Sequence, residues 1–188
     1  MTTNSHVGRR FVVGIGVTAL SVLGVTSTAE AAPPSSKPVV NPTLIEFGTY
    51  PCGFPLVGEV LQQNLTARTF TKDGVQTVRT TGVLKVRFFN DDEYDPATGV
   101  GESIVRNISG PLEVTTNPDG TIDQVASGPS FTILQPDIPG AEGLPRAIIA
   151  HGRVVSSATG VDEATGLYEN FTIESVSGTY EDVCAALD

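Results

Sequence analysis

Runs of alternating apolar and polar residues, interrupted by single glycines, constrain the fold of this chain more than any other feature. The alternation has the period of two that is typical of half-buried β-strands, and turn sequences such as Lys72-Asp73-Gly74 separate the runs. A glycine inside a strand weakens its packing and adds to the entropic cost of ordering it. Its repeated use therefore favours sharp bends where a sheet coils on itself. The interrupting glycines are Gly82, Gly110, Gly128, Gly152 and Gly178.

The strand-like runs show no convincing helical period. They predict an all-β fold in which bent antiparallel strands form a closed up-and-down barrel of about eight strands, similar to lipocalins and allene oxide cyclases. A two-sheet β-sandwich is the alternative. The runs cover residues 56–62, 66–71, 75–81, 83–89, 102–115, 122–134, 146–156 and 167–183.

The two cysteines, Cys52 and Cys184, stand near the two ends of the β-patterned region. An even cysteine count in an exported protein favours a disulfide, and two cysteines allow only one pairing. We therefore predict a Cys52–Cys184 disulfide that joins the first and last strands. A reactive thiol is disfavoured because Glu181 and Asp182 precede Cys184, and neighbouring carboxylates oppose formation of a thiolate.

The beginning of the chain predicts a signal peptide over residues 1–31. Arg9-Arg10 forms a positive region before an apolar stretch that is short for a membrane span, and Ala29-Glu30-Ala31 supplies a small-x-small cleavage pattern. We expect a secreted protein, exported by the general or the twin-arginine route. Residues 32–50 are rich in proline and serine and predict a disordered spacer, and residues 51–188 predict a single β domain.

The chain is acidic, with a formal net charge of −10 at pH 7. Loss of the signal peptide removes two arginines and one glutamate, which changes the net charge from −10 to −11. Such a surface repels phosphate backbones and anionic lipid headgroups, so we expect no nucleic-acid partner. We also expect no integral membrane segment after cleavage, because no second apolar run reaches the length of a membrane span.

Few residues suggest chemistry, and we predict no catalytic residue, no metal site and no cofactor. His151, the single histidine after the signal peptide, has no recognisable partner for acid–base catalysis. One histidine and two bridged cysteines also supply too few ligands for zinc. The acidic run Asp91–Asp95 superficially resembles a calcium-binding loop, but a solvated acidic turn explains it as well, and calcium binding is left open.

Three residues suggest a ligand: Arg106, Ile138 and Leu144. By strict alternation Arg106 falls on the same apolar face as Ile108, where a guanidinium needs a carboxylate or a ligand anion beside it. A bulge that turns Arg106 outward is the alternative, and we favour it. Ile138 and Leu144 are apolar residues of the irregular stretch 135–145, which is either a lid over the barrel mouth or a surface loop packed on its own side chains.

Four motifs made of turn and disulfide residues are distinctive as a set. They are Cys52-Gly53-Phe54-Pro55, Asn107-Ile108-Ser109-Gly110-Pro111, Asn117-Pro118-Asp119-Gly120-Thr121 and Asp182-Val183-Cys184-Ala185-Ala186-Leu187. In these motifs the chain resembles a family of secreted actinobacterial β-barrel-like proteins, and the resemblance covers nearly all of the chain after the signal peptide. It implies a bacterial, secreted origin and implies no activity.

The main functional hypothesis is a secreted, non-enzymatic β-barrel that binds a small apolar ligand or a cell-envelope component, because barrels of this strand number hold one small ligand. The first alternative is a cofactor-free barrel enzyme of the cyclase or dirigent type. The second alternative is a protein-interaction module, including a homo-oligomer. It rests on apolar residues that a barrel would turn outward, namely Val105, Val125, Phe131, Ile149 and Val155.

Overall fold

The computed structural model describes residues 35–134, 137–161 and 168–188. The predicted signal peptide lies outside these residues, as do residues 135–136 of the irregular stretch 135–145. Among the described residues, no helix is long and apolar enough to cross a membrane. The described strands are β1 (Ser35–Val39), β2 (Leu44–Gly48), β3 (Leu56–Lys72), β4 (Val75–Asn90), β5 (Ser103–Asn107), β6 (Leu112–Thr116), β7 (Ile122–Ile133), β8 (Ala147–Ala158), β9 (Gly160–Val161), β10 (Tyr168–Glu169) and β11 (Thr172–Asp182).

Nine of the strands form one antiparallel sheet, and β9 and β10 form a separate two-stranded sheet. The main sheet has the order β1-β3-β4-β6-β7-β8-β11, while β2 pairs with β3 and β5 pairs with β4. The predicted all-β, antiparallel architecture is thus confirmed. Backbone hydrogen bonding does not close the sheet into the predicted barrel, because no pairing within the described ranges joins the outer strands β1 and β11.

Strands β1 and β2 correct the prediction of a disordered spacer over residues 32–50. Both pair with β3, for example at Val39↔Leu65 in β1 and Leu44↔Glu59 in β2. Phe47 of β2 is buried in the main core. A short edge strand tolerates proline because one of its sides has no ladder partner. A proline- and serine-rich edge strand therefore has the composition of a spacer, and only its pairing with β3 distinguishes the two.

Three of the interrupting glycines lie side by side across β7, β8 and β11, and we call them the glycine row. Gly152 pairs with Gly128 on one side and with Gly178 on the other. The backbones approach so closely that a Cβ atom on Gly152 would lie 1.9 Å from the carbonyl oxygen of Ser177. The glycine at the centre of the row is therefore required by the close approach of two strands.

Strand β8 lies between two hydrophobic cores. Its residues Ala147 and Ile149 belong to the main core, whereas Ile148 and Ala150 belong to a second core on its other face, and all four are fully buried. The main core consists of Phe47, Leu56, Leu84, Val86, Phe88, Ile108, Phe131, Ile133, Ala147, Ile149, Val183 and Leu187. The second core consists of Leu134, Ile138, Ile148, Ala150, Val154 and Ile173. The first half of β8 is thus buried on both faces, with one core on each side.

Burial corrects part of the interaction-module hypothesis. Phe131 and Ile149 were expected to point outward, but both lie in the main core, where the Phe131 and Phe88 ring centroids are 4.7 Å apart. A barrel strand has one face inside and one outside, and this expectation fails at Ile149 because β8 packs on both of its faces. Val105 is exposed, and Val125 and Val155 are half-buried. The outward apolar surface is therefore smaller than the alternation predicts.

Candidate functional site

A cavity of about 100 Å³ lies beside β7, where that strand loses one of its two neighbours. Strand β6 pairs with the first part of β7, from Ile122 to Ala126, whereas the remainder of β7 pairs with β8 alone among the described strands. The Gly110 N–H donates a hydrogen bond to the Pro129 carbonyl at 2.6 Å. Beyond this contact β5 pairs with β4 and not with β7, which leaves room for the cavity.

The described residues that line this cavity are uncharged and largely apolar. Nine of its residues are hydrophobic, five carry a hydroxyl or amide group and one is glycine. A wall of this kind favours a neutral, mostly apolar molecule. The lining residues are Leu84, Ile108, Gly110, Leu112, Gln124, Ala126, Ser130, Phe131, Thr132, Ile133, Val154, Ser156, Tyr168, Phe171 and Ile173.

Two polar atoms of the lining are buried without a hydrogen-bond partner among the described residues. They are the Ser130 hydroxyl, on a side chain that is nine-tenths buried, and the Gln124 side-chain nitrogen. Such groups lose their hydration without compensation, which costs free energy. Both residues are on β7, six positions apart, so a rise of about 3.3 Å per residue separates them by up to about 20 Å.

Tyr168 is the titratable residue among those that line the cavity. Burial raises the pKa of its hydroxyl above the ordinary value of 10.0. The phenol consequently stays protonated at neutral pH and acts as a hydrogen-bonding group instead of a base.

The structure brings the predicted ligand residues Ile138 and Leu144 together, but in the second core. Ile138 is a buried member of the second core, and the partly buried Leu144 packs against this core. The Ile173 N–H donates to the Pro139 carbonyl at 2.9 Å, which ties this loop to β11. Neither residue lines the cavity beside β7. Of the two predicted arrangements, a packed loop describes these residues better than a lid, and their role in ligand binding stays a prediction.

Arg106 corrects the favoured prediction of a bulge. Strand β5 pairs with β4 without a register shift, and Arg106 lies opposite the fully buried Val86. Glu181 of β11 likewise lies opposite the fully buried Ile149. Both side chains therefore stand on the core side, where Arg106 Nε donates to Glu181 Oε2 at 2.7 Å and Nη2 donates to Oε1. The carboxylate that an inward guanidinium needs is supplied by the protein itself.

Glu181→Gln is expected to destabilise the protein at neutral pH, and the difference from the wild type should vanish on acidification. Hydrogen bonding to Arg106 holds the pKa of Glu181 below its ordinary value of 4.5, against the opposing effect of burial. A carboxyl group whose folded-state pKa is lowered stabilises the fold above its unfolded-state pKa. That contribution is lost as the pH falls through the folded-state value. Urea unfolding at a series of pH values, from neutral to about 3, measures the difference.

The matched control is Glu113→Gln, which removes the carboxylate of the exposed Arg79–Glu113 ion pair. An exposed pair contributes roughly 0–1 kcal/mol, so this variant should stay close to the wild type at every pH. Equal losses of stability in the two variants would contradict a special role for Glu181.

The predicted disulfide is confirmed. Cys52 and Cys184 are bonded, and their Cα atoms are 5.1 Å apart. The bond links the segment that follows β2 to the turn that follows β11, next to the buried Val183 and Leu187. It therefore ties the last strand to the beginning of the β structure, at the rim of the main core.

The acidic run Asp91–Asp95 is organised by hydrogen bonds of its own turns. Asp95 accepts bonds from the Thr98 hydroxyl and the Ala97 N–H, both at 2.8 Å, and these bonds lower the pKa of Asp95. The Asn90 side chain accepts a bond from the Asp92 N–H at 3.1 Å. Within the described part of the chain, no three His, Cys, Asp or Glu side chains converge on a position for a metal ion.

The sequence interpretation missed Gln124, Ser130 and Tyr168. Alternation within the predicted strand 122–134 was the available signal, because Gln124 and Ser130 share a face with Ile122 and Ala126. Comparison of the chain with protein families, with curated proteins and with solved structures found no match. The functional interpretation therefore rests on the geometry of the molecule.

Proposed function

We propose that the protein is a secreted, non-enzymatic binding protein that holds a small, neutral, largely apolar ligand in the cavity beside β7. The observation that carries this proposal concerns the described lining residues: they are uncharged and mostly hydrophobic, and two of their buried polar atoms, on Ser130 and Gln124, have no partner within the described part of the chain. A hydrogen-bonding group on the ligand would restore the interaction that burial removes from either atom. An aliphatic end of a cell-envelope component fits the same description.

The size of the cavity limits what can enter it. Its volume of about 100 Å³ is below the roughly 300–1,000 Å³ of typical ligand sites. It is also below that of an engineered cavity of about 150 Å³ that admits benzene. We infer that the occupant is a molecule of a few non-hydrogen atoms or the terminal segment of a longer apolar chain.

We further infer that the coiled sheet acts as a barrel-like container that side chains hold together. Two contacts support this inference: the Arg106–Glu181 ion pair links β5 to β11 on the core side, and the disulfide links the segments that follow β2 and β11. The alternative is a two-sheet sandwich with the same contacts. In either arrangement the cavity lies beside β7, next to the main core.

A cofactor-free enzyme of the cyclase or dirigent type has less support. Catalysis of that kind needs polar groups that converge on one reacting atom. Gln124 and Ser130 stand six positions apart on β7, and Tyr168 stays protonated at neutral pH. The cavity is accordingly better suited to holding a neutral molecule than to transferring protons.

The direct test is native mass spectrometry of protein recovered from the medium of the secreting cells. We expect a co-purifying small mass, and we expect the same molecule to raise the melting temperature of the ligand-free protein. Ala126→Leu should abolish both effects by filling the cavity. Ser130→Ala leaves the space open and should weaken binding about tenfold through loss of one hydrogen bond.

The matched control is Ala185→Leu, because Ala185 is exposed and does not line the cavity. This variant should bind as the wild type does. A clean ligand-free mass, with no change in melting temperature across neutral short-chain alcohols, ketones and alkanes, would overturn the proposal.

A further inference from the structure

The hairpin formed by β3 and β4 is basic, although the protein as a whole is acidic. Residues 56–90 contain five basic and two acidic side chains, a net charge of +3, in a chain whose net charge is −10. The remaining residues therefore carry a net charge of −13. The five basic residues are Arg68, Lys72, Arg79, Lys85 and Arg87.

The register of the hairpin places these cations on its outer face. Leu84 and Val86 of β4 are buried in the main core, so alternation turns Arg79 and Lys85 away from the core. Arg68 of β3 lies directly opposite Arg79 and shares its face. Lys72 is four positions further along β3, on the same side. Arg68, Lys72, Arg79 and Lys85 are all exposed, and we call this set the basic face.

Most of this charge is not neutralised within the protein. Arg79 forms an ion pair with Glu113, whereas the described residues place no carboxylate within ion-pair distance of Arg68, Lys72 or Lys85. Like charges directly opposite each other in neighbouring strands oppose folding, so the Arg68↔Arg79 pair is not explained by stability. Charge complementarity points instead to an anionic partner.

The neutral residues of the same face indicate which kind of anion. Exposed or half-buried hydroxyl and amide side chains lie on the same face of both strands as the cations, and Phe70 exposes its ring between Arg68 and Lys72. Hydroxyl and amide groups bind sugar hydroxyls, and an exposed aromatic ring packs against the apolar side of a sugar ring. The hydroxyl and amide residues are Gln62, Asn64, Thr66, Thr77 and Thr81.

We propose that the basic face binds a linear anionic polysaccharide. From the level of Lys72 to that of Lys85 the hairpin extends ten residues, which at about 3.3 Å per residue is roughly 33 Å. That length accommodates several sugar units and exceeds a single one. The acidic remainder of the protein does not prevent binding, because at physiological ionic strength charges act over a distance of about 8 Å.

The experiment measures binding of the full secreted chain to alginate, a linear polyuronate, with uncharged dextran as the matched control polymer. We expect binding to alginate at low ionic strength, no binding to dextran, and at least about tenfold weaker binding to alginate at high salt. Arg68→Gln combined with Lys85→Gln should weaken binding at least about tenfold. Phe70→Ala should weaken it several-fold and leave the salt dependence unchanged. Thermal unfolding checks that each variant is folded.

Arg153→Gln is the matched control variant, because Arg153 is an exposed cation on β8, away from the basic face. It should bind alginate as the wild type does. Absence of alginate binding at low salt would overturn the proposal, and so would an equal loss in Arg153→Gln. Equal or tighter binding of single-stranded DNA would also overturn it, by showing that the face recognises charge without recognising sugar.

Discussion

Replacing Cys184 by serine, together with Cys52 by serine to avoid a free thiol, is expected to lower the free energy of unfolding by about 2–5 kcal/mol. The disulfide joins residues 132 positions apart and therefore restricts the unfolded chain over almost the whole β structure. Urea unfolding of the double variant and the wild type measures the difference. Wild-type protein whose disulfide has been reduced is the control, because it should lose the same amount of stability.

The loss should begin at the rim of the main core. Val183 donates its N–H to the Ala147 carbonyl at 2.9 Å, and Leu187 donates to the Cys184 carbonyl at 3.1 Å. Without the disulfide these two amides should exchange hydrogen for deuterium faster than the amides of β7 and the middle of β8. A change in stability below about 1 kcal/mol, or uniform acceleration across the sheet, would contradict the assigned role of the disulfide.

The sequence predicted those features that depend on residues close together in the chain, such as strand alternation, or on the number of residues of one type, such as the two cysteines. The number and placement of the cysteines predicted Cys52–Cys184, and alternation predicted the apolar face on which Arg106 stands. The favoured bulge at Arg106 was wrong, but the alternative held that an inward guanidinium needs a carboxylate or a ligand anion, and Glu181 supplies the carboxylate. The sequence could not identify Glu181, because residues 75 positions apart meet only when β5 and β11 approach across the core.

Features that depend on which strands become neighbours were missed. Phe131 and Ile149 stand opposite the glycine-bearing face and were therefore expected to point outward, yet both lie in the main core, and the second core makes both faces of β8 internal. The basic face is hidden for the same reason. Arg68 and Arg79 are eleven positions apart in the chain, and the hairpin register brings them together. Ser130 acquires significance only because β7 beyond Ala126 has no second neighbour among the described strands, whereas Gln124 lies where both β6 and β8 pair with β7.

The sequence correctly singled out the glycines of the glycine row, but the reason they are needed lies in the packing of neighbouring strands. Glycine inside a strand suggested bends, but three glycines in one line across neighbouring strands indicate that the backbones themselves come into contact. A Cβ atom on Gly178 would lie 2.8 Å from the His151 carbonyl oxygen, whereas a Cβ on Gly128 meets no atom closer than 3.8 Å. The members of the row therefore differ in how strictly they require glycine.

Gly152→Ala is expected to destabilise the protein by about 3 kcal/mol or more. The added Cβ would lie 1.9 Å from the Ser177 carbonyl oxygen, and because this oxygen belongs to the backbone, β8 and β11 would have to separate. Gly120→Ala is the matched control, since Gly120 has φ +87° but open space around it, and backbone strain alone should cost about 1 kcal/mol.

The Gly128→Ala variant tests whether the loss of stability comes from a residue's position in the glycine row or from the close approach of a neighbouring backbone atom. Gly128 has φ +71° and space for a methyl group, so its variant should lose about as much stability as Gly120→Ala, although it stands next to Gly152. Urea unfolding of the three variants gives the order, and far-UV circular dichroism shows whether Gly152→Ala still folds. Similar losses for Gly128→Ala and Gly152→Ala would contradict the steric explanation.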